Sequence, residues 1–391
     1  MHDKAFPTAP LSQFDLFAQQ TNSAYTPRYV SCFEPTRIVL TRGWDRTSFG
    51  QSLAKNILSL YPNIVPENCS DTVHPKIVVN GSTPDEQHAL GKQTLVIGEH
   101  RSAVRLSSEE GNTCPNYWHF SLYGFCPYGC TYCYLAGTPG IKFSPSVKIF
   151  TNIDEILADI DKHARKIAKP TAFYHGKLQD GLALDPLTGY SCRLIPFFAE
   201  HSFARQVLLT KSADVKNLLD LDHNGHTILS WTLHPPEISE QFEPQTPPIA
   251  ERLCAMKRCA EVGYPVRAVL MPLIPVSDWL DRYAIFLEQL LTDIPIQRLT
   301  IGTICSYQGA YWLMNRKLGA VNVIAENMEH IKSKDGRVRY SMELREKAYR
   351  HLIQTAKRLR PDLEVGLCLE THSIFETLDM QNAIGRCNCV L

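Results

Sequence analysis

The sequence is organised around the stretch Tyr123-Gly-Phe-Cys126-Pro-Tyr-Gly-Cys130-Thr-Tyr-Cys133-Tyr134, which spaces three cysteines as C-x3-C-x2-C. Three thiolates at this spacing can bind three irons of a cubane cluster, and the fourth iron is then left without a protein ligand. An open iron can be chelated by the amino and carboxylate groups of S-adenosylmethionine (SAM), and an electron passed into the sulfonium breaks a carbon–sulfur bond. The stretch therefore predicts a [4Fe–4S] cluster on Cys126, Cys130 and Cys133, with SAM as the second cofactor.

Two other metal sites are weaker interpretations of these cysteines. A zinc site usually has four ligands, often as two C-x2-C pairs, and no second pair lies at a matching spacing in this sequence. Ferredoxin-type runs have a different spacing and normally a fourth cysteine. The spacing therefore favours a radical SAM enzyme.

The bulk composition indicates a globular protein. Of 391 residues, 44% are hydrophobic, which is enough for a large core. Lys and Arg together number 40, as do Asp and Glu, and this balance argues mildly against DNA as the main partner. The 13 cysteines suit metal binding under reducing conditions. Because there is no apolar signal-peptide core and no run long enough to span a bilayer, the sequence predicts a cytoplasmic protein without a membrane partner.

From about Trp118 onward, β-rich runs alternate with amphipathic helices. In the helix at 152–168, for example, Ile153, Ile156 and Ile160 fall on one face. Six β–α units in succession predict a parallel sheet with the helices outside, and hence a barrel or partial barrel with its chemistry on the loops after the strands. The strands are expected at 118–124, 171–176, 205–210, 226–233, 265–273 and 297–304, and the helices at 152–168, 188–202, 212–220, 247–262, 277–294 and 342–359.

Beyond the cysteines, the sequence resembles spore photoproduct lyase and its radical SAM relatives from about Tyr29 to the C-terminus. The resemblance implies an α/β fold, a partial (α/β)6 TIM-type barrel of the radical SAM type, with an N-terminal extension and a Cys-rich C-terminal tail. The chain then divides into a flexible lead-in (1–28), an N-terminal accessory region (29–113), the core barrel (114–370) and the tail (371–391). The segments that carry the resemblance are Thr94–Gly98, Cys126–Leu135, Asn152–Leu157, Leu209–Lys211, His223–Gly225, Phe242–Pro244 and Ala260–Pro265.

The same resemblance assigns roles to single residues. Tyr132 and Tyr134 match the tyrosines that flank the last cluster cysteine and relay a hydrogen atom in the lyase, although packing beside the cluster explains them equally well. Lys211 matches a lysine near SAM, and Thr232 matches a hydroxyl that contacts SAM. A surface lysine and an ordinary strand threonine are the alternatives for these two residues.

The chain departs from the lyase pattern after its second strand. The lyase has a cysteine there that returns a hydrogen atom to the repaired thymine radical, whereas the stretch 175–180 contains no cysteine. Many radical SAM enzymes have Gly-Glu at this place and this chain has Gly176-Lys177, so Lys177 would repel the ammonium group of SAM unless it turns to the carboxylate. Asp180 is a candidate contact to SAM or to the substrate.

Two cysteines lie close to the end of the chain, in Cys387-Asn-Cys389. A C-x-C pair can chelate a soft ion or metalloid, or cycle between dithiol and disulfide, and an idle exposed tail is the alternative. Cys305 and Cys368 are expected near the barrel mouth. Either would join the tail pair as a third thiol or donate a hydrogen atom, unless it is a buried inert cysteine.

The segment from Ser306 to Ser341 is long for a β–α connection, and long connections in compact domains are usually functional. Its aromatic and basic side chains would stack on bases and contact phosphates, or they would form a lid that shields a radical from water. The neutral net charge favours the lid. The side chains concerned are Tyr307, Tyr311, Trp312, Lys332, Lys334, Arg337 and Arg339.

Three functions are compatible with these features. The missing hydrogen-donor cysteine, Lys177 and the thiol-rich tail favour a small-molecule radical SAM enzyme, a lyase or transferase. It would move the 3-amino-3-carboxypropyl group of SAM to a soft acceptor, such as arsenite, held by Cys387 and Cys389. The alternative is DNA repair of a thymine dimer through a 5′-deoxyadenosyl radical, and the third is a binding or sensor protein without turnover. Turnover would need an external electron donor of the flavodoxin or ferredoxin type.

Overall fold

The structure, a computed structural model, describes residues 25–138, 144–319, 322–329 and 335–391. Residues 1–24, which make up most of the predicted lead-in, lie outside the described residues, as do Lys332 and Lys334. Within the described ranges, no helix is long and apolar enough to cross a membrane. These ranges form sheets of five and eight strands and a separate two-stranded pair.

The strands, in chain order, are β1 (Arg37–Thr41), β2 (Glu67–Cys69), β3 (Thr94–Gly98), β4 (Val104–Ser107), β5 (Tyr117–Phe120), β6 (Tyr123–Gly124), β7 (Val147–Phe150), β8 (Thr171–His175), β9 (Ala204–Thr210), β10 (Thr227–Thr232), β11 (Val266–Leu273), β12 (Arg298–Thr303), β13 (Cys305–Tyr307), β14 (Arg337–Arg339) and β15 (Glu364–Leu367). The α-helices are α1 (Ser48–Leu60), α2 (Pro84–Lys92), α3 (Ile153–Ile167), α4 (Asp185–Thr188), α5 (Ser191–Glu200), α6 (Pro236–Phe242), α7 (Ile249–Glu261), α8 (Trp279–Asp293), α9 (Gln308–Leu318), α10 (Val323–Glu326), α11 (Met342–Leu359) and α12 (His372–Thr377).

The eight-stranded sheet has the order β15-β12-β11-β10-β9-β8-β5-β4. Its strands run parallel except for β4, which pairs antiparallel with β5 at one edge. No strand pairing joins β4 to β15 within the described ranges, so the barrel is open between these edges. The predicted α/β fold with a partial barrel is therefore confirmed. Five of the six predicted strands are present as single strands, and β15 adds a further parallel strand. The strand predicted at 118–124 is wrong as one strand, because it is divided into β5 and β6, which lie in different sheets.

The five-stranded sheet has the order β2-β1-β3-β7-β6, and β6 is antiparallel to β7. The central strand β3 is buried along its whole length, as expected of a parallel strand that is covered on both faces. Strands β6 and β7 belong to the predicted barrel region, whereas the other three belong to the predicted accessory region. The sheet therefore joins the two regions, and β6 leads directly into the cluster cysteines.

Helix α3 forms as its sequence pattern predicts. Ile153, Ile156 and Ile160 are buried on one face, and the first turn carries Asp154, where the helix dipole favours an acidic side chain. The helix ends at Ala168, which adopts the left-handed conformation and donates its amide back to the last turn.

The helix predicted at 212–220 is wrong, because this segment forms turns instead. The hydroxyl of Ser212 accepts a 3.1 Å hydrogen bond from the amide of Asp214, and the carboxylate of Asp214 accepts a 3.2 Å bond from the amide of Lys216. Short polar side chains that bond to nearby amides in this way compete with the helical pattern.

The C-terminal tail turns back against the amino-terminal end of the barrel. Arg298, the first residue of β12, donates to the carbonyl oxygens of Cys387 at 2.9 Å and Val390 at 3.0 Å. The same guanidinium donates to the carbonyl oxygen of Leu391 at 2.9 Å. The tail is thereby fixed to a barrel strand rather than extended into solvent.

A side-chain hydrogen bond and a close contact at a glycine also hold the tail against the barrel. Ser230 of β10 donates to the side-chain oxygen of Asn388 at 2.9 Å. Gly366 of β15 permits the close approach of the tail, because a Cβ at this position would lie 1.9 Å from the carbonyl oxygen of Arg386. Any larger residue there would push the tail away from the strand.

Candidate active site

One cavity of about 170 Å³ brings the three predicted cluster cysteines together. Its wall is formed by the cluster loop and by residues at the carboxyl ends of β8, β9, β11 and β12, where barrel enzymes place their chemistry. Most of the predicted site residues therefore meet in one place. Those on the wall are Cys126, Cys130, Cys133, Tyr132, Tyr134, Lys177, Asp180 and Lys211.

Backbone hydrogen bonds fix the cluster loop in place. The amine of Lys92 donates to the carbonyl oxygen of Cys126 and, at 2.7 Å, to that of Tyr128. On the other side, the amide of Gly129 donates to the carbonyl oxygen of Pro244 at 3.0 Å, and a Cβ on Gly129 would lie 2.9 Å from that oxygen. The loop is thus held without use of the sulfur atoms, which stay available as ligands.

The cysteines of this loop fit an iron–sulfur cluster better than a single metal ion. Within the described ranges, no group of three or more His, Cys, Asp or Glu side chains is arranged to hold one ion. Ligands of a cubane need not converge on one point, because each binds its own iron. Burial raises the pKa of the Cys130 thiol to about 12 and that of Cys126 well above its ordinary value, so iron binding must displace protons from both.

A buried charged group behind Tyr132 was not predicted from the sequence. Oε2 of Glu243 lies 2.7 Å from Nη1 of Arg252. Oε1 of the same carboxylate lies 3.3 Å from Nε2 of His234 and 3.6 Å from Nζ of Lys211, and it accepts from the Tyr132 hydroxyl. Burial opposes the charged form, but these neighbours outweigh it and hold the pKa of the Glu243 carboxyl well below its usual range. The sequence marked this glutamate only as part of a segment that resembles the lyase.

Asp180 ties the loop after β8 to the end of β9. Its Oδ1 accepts hydrogen bonds from the amides of Leu182 at 3.0 Å and Ala183 at 2.9 Å. The hydroxyl of Thr210 donates to the same oxygen at 2.6 Å, and the amide of Lys211 donates to Oδ2 at 2.7 Å. Because four protein donors engage it, this carboxylate positions the backbone beside the cavity.

Lys177 is paired with an acidic side chain. Its Nζ lies 2.9 Å from both Oε1 of Glu109 and Oγ of Ser107, and Glu109 also accepts from Arg337 at 2.6 Å. Burial of Glu109 is outweighed by these two cations, so the pKa of its carboxyl is lowered. Glu109 therefore offsets the expected repulsion between Lys177 and the ammonium group of SAM. The Tyr134 hydroxyl donates to the carbonyl oxygen of Lys177.

Three predicted site residues do not line the cavity. Thr232 is buried at the end of β10, and its carbonyl oxygen accepts from Arg252 at 3.2 Å. Cys387 is buried and Cys389 is half-buried at the amino-terminal end of the barrel, where the thiol of Cys387 contacts those of Cys389 and Cys114. The tail cysteines are therefore not exposed, contrary to the alternative of an exposed tail.

Cys305 stands on the cavity wall as a fourth thiol. From the sequence, Cys305 and Cys368 were equivalent candidates for a thiol near the barrel mouth. In the structure, Cys305 lines the cavity and Cys368 does not. Nη1 of Arg337 lies 3.9 Å from the sulfur of Cys305. No sequence signal separated these two cysteines, because both follow a strand of the barrel.

In the parts of the segment 306–341 that the structure describes, the helices α9 and α10 and the strand β14 are present. A Cβ on Gly137 would lie 2.5 Å from the backbone nitrogen of Ala310, so α9 packs closely against the turn that follows the cluster loop. On this helix, Trp312 is 62% exposed. The segment therefore presents an aromatic side chain to solvent close to the cluster loop.

Sequence and structure comparisons identify similar proteins. A family profile described as spore photoproduct lyase matches residues 43–308. Spore photoproduct lyase of Bacillus subtilis (strain 168) is 28% identical over 245 residues, which cover 62% of this chain and 70% of that protein. Spore photoproduct lyase of Geobacillus sp. (strain Y412MC61) is 29% identical over 217 residues, which cover 55% of this chain and 62% of that protein.

Two solved structures share the fold. Spore photoproduct lyase complexed with dinucleoside spore photoproduct superposes with a TM-score of 0.75 at 20% identity and covers 86% of this chain and 100% of that chain. A tyrosine-to-phenylalanine variant of spore photoproduct lyase gives a TM-score of 0.75 at 21% identity, over 86% and 99% of the two chains.

These similarities overturn the function that the sequence favoured. Transfer of an aminocarboxypropyl group to a small soft acceptor is wrong, because the family profile and the similar proteins are those of a lyase, and the DNA-repair alternative fits them better. The structure gives a physical reason. Cys387 and Cys389 would hold the acceptor, and neither lines the cavity with the cluster cysteines.

Proposed function

Because the chain belongs to the spore photoproduct lyase family, we propose that it is a radical SAM lyase that returns spore photoproduct, a thymine dimer in DNA, to thymines. Its cofactors are a [4Fe–4S] cluster and SAM. The profile match spans every cluster cysteine and the cavity wall from β8 to Cys305. The observation that carries the proposal is the single cavity that joins these cysteines to Tyr132 and Tyr134.

The cluster ligands in this proposal are Cys126, Cys130 and Cys133. When bound and reduced by an external donor of the flavodoxin or ferredoxin type, the cluster supplies the electron that cleaves SAM and releases a 5′-deoxyadenosyl radical to act on the dimer. The Lys92 bonds hold the backbone of the cluster loop, and the three cysteines of this loop line one cavity.

Lys211 is suited to bind the carboxylate of SAM. Its amine lies on the cavity wall, and its nearest carboxylate oxygen, in Glu243, is 3.6 Å away, which is too long for a hydrogen bond. Burial lowers the pKa of Lys211, but Glu243 outweighs burial and raises it, so the amine stays charged. A charged amine has three donors, and these are available to an anionic ligand.

Apolar side chains form much of the remaining cavity wall, which also includes Gln179 and Thr210. Leu135, Val269, Met271 and Ile304 line the cavity beside the cluster cysteines. Side chains of this kind exclude water from the site, which limits side reactions of a reactive intermediate. The wall thus favours a radical reaction on a bound base.

The DNA strand would approach past α9. Trp312 and its neighbour Tyr311 lie on this helix, next to the turn that follows the cluster loop. An exposed aromatic ring provides a stacking surface for bases flanking the dimer. Arg337 and Arg339 contribute little charge to this surface, because they pair with Glu109 and Asp335.

The test is anaerobic turnover of the reconstituted protein with SAM, a strong reductant and dinucleoside spore photoproduct. We expect 5′-deoxyadenosine from SAM and conversion of the dimer to the thymine dinucleoside, both measured by mass spectrometry. Formation of 5′-methylthioadenosine with an intact dimer would contradict the proposal.

Alanine variants of two cysteines test whether the reaction needs the cluster, one at a cluster ligand and one as its control. Cys130→Ala should lose bound iron and all dimer conversion, because two thiolates remain for a cluster that needs three. Cys254→Ala, which alters an exposed cysteine of α7, should leave both unchanged. Retention of conversion by Cys130→Ala would show that the reaction does not use this cluster.

A further inference from the structure

The proposed reaction needs a hydrogen atom donor. When the cross-link between two thymines breaks homolytically after hydrogen abstraction, one thymine is left as a carbon radical that must gain a hydrogen atom. The loop 175–180, on the cavity wall after β8, contains no thiol. A thiol donor on this wall would therefore have to lie outside that loop.

Cys305 is in a position to act as the hydrogen atom donor. It begins β13, directly after the end of β12, and it lines the cavity that contains the cluster cysteines. Of the described residues on this wall, Cys305 is the one thiol that the cluster does not use as a ligand. Ile304, Met271 and Val269 line the same cavity and have only C–H bonds, so none of them has a weak S–H bond to give.

The contacts and burial of Cys305 favour a protonated thiol with an accessible S–H bond. Nη1 of Arg337 approaches the sulfur as a donor at 3.9 Å, so it engages a lone pair of the sulfur and leaves the S–H bond free. Arg337 is itself held by Glu109 at 2.6 Å and by the Tyr307 hydroxyl at 3.2 Å. Burial raises the pKa of the Cys305 thiol, and Arg339 and Arg337 only partly oppose this, so the thiol is protonated at neutral pH.

We propose that Cys305 donates a hydrogen atom to the thymine radical formed in this cavity, an inference that rests on the proposed lyase function. The S–H bond breaks, a C–H bond forms on thymine, and a thiyl radical is left on Cys305. One electron from the external donor that reduces the cluster, together with one proton from solvent, restores the thiol. Each turnover then consumes one SAM and two electrons.

The experiment is turnover in D₂O with mass spectrometry of the products. A thiol exchanges its proton with solvent, so the unaltered holoenzyme should place one deuterium in the repaired thymine. Thymine without deuterium would overturn the assignment of Cys305 and leave the lyase function standing. A dimer that is not converted at all would overturn the lyase function and this inference with it.

Two variants test whether Cys305 is the thiol that donates the hydrogen atom. Cys305→Ser retains size and polarity but has an O–H bond too strong to donate. Thymine formed per 5′-deoxyadenosine should fall at least tenfold, with iron content and 5′-deoxyadenosine formation within twofold of the unaltered protein. Cys368→Ser, which changes a thiol away from the cavity wall, should keep the full ratio. An unchanged ratio in Cys305→Ser would overturn the proposal.

If Cys305→Ser loses its iron, Cys305→Ala is measured instead, because an apolar methyl group suits the buried wall. The ratio of thymine to 5′-deoxyadenosine has the same meaning there. A low ratio with retained iron supports Cys305, and an unchanged ratio rejects it.

Discussion

Glu243 and Arg252 form an ion pair in the protein interior, with 2.7 Å between Oε2 and Nη1 and both side chains almost fully buried. Glu243 directly follows α6, and the carbonyl oxygens on either side of it, in Phe242 and Pro244, accept from the amides of Thr131 and Gly129. The ion pair therefore fixes the segment against which the cluster loop rests. Global stability and the geometry of the cluster ligands should respond together when it is broken.

Glu243→Gln should destabilise the protein strongly. The change leaves Arg252 and Lys211 without their counter-charge in the interior, and breaking a buried pair in this way costs about 3–5 kcal/mol. Urea denaturation of the protein with its cluster removed would measure the loss in the free energy of unfolding. Glu237→Gln is the control, because its pair with Arg282 is exposed and should be worth less than about 1 kcal/mol.

The contribution of Glu243 should also depend on pH in a defined direction. Its folded-state pKa is depressed well below 4.5, so the stabilisation is fully present above the unfolded pKa of about 4.3 and is lost as the pH falls towards the folded pKa. The stability difference between the unaltered protein and Glu243→Gln should stay constant from about pH 7 to pH 5.5 and shrink below about pH 4.3. A difference that grows on acidification would contradict the assigned ion pair.

Arg298→Ala should release the C-terminal tail. The change removes three hydrogen bonds to carbonyl oxygens of the tail, each worth roughly 0.5–1.5 kcal/mol or more because the donor is charged. The rate of alkylation of Cys387, followed by mass spectrometry of the C-terminal peptide, should rise at least tenfold. Arg386→Ala removes an exposed cation of the tail itself and should leave that rate nearly unchanged.

Trp312→Ala should weaken DNA binding. Stacking of one base on an aromatic ring is worth about 1–3 kcal/mol, which corresponds to roughly 5- to 150-fold in the dissociation constant for a single-stranded oligonucleotide. Fluorescence anisotropy at fixed salt would measure it. Ile285→Ala, on α8, removes a comparably exposed apolar side chain and should have no effect. Equal affinities of Trp312→Ala and the unaltered protein would exclude α9 as a stacking surface.

Two predictions that depended on local spacing agreed with the structure. The three cluster cysteines share one cavity wall because they lie within one short loop, where chain connectivity alone keeps them close. The amphipathic face of α3 was equally visible, since its buried positions recur at helical spacing. The helix predicted at 212–220 was wrong for a local reason. Polar side chains in this segment accept hydrogen bonds from nearby backbone amides and so stabilise turns instead of a helix.

The sequence by itself determined the cluster motif, the succession of β–α units and hence the type of fold. Each of these depends on the spacing of residues within a short stretch of the chain. Only the tertiary structure decided which distant groups meet. It placed Glu243 against Arg252, brought Cys305 rather than Cys368 to the cavity, and packed Cys387 into the barrel end. The physical reason is that burial and charge pairing are set by the packing of strands and helices far apart in the chain, and no local pattern records them.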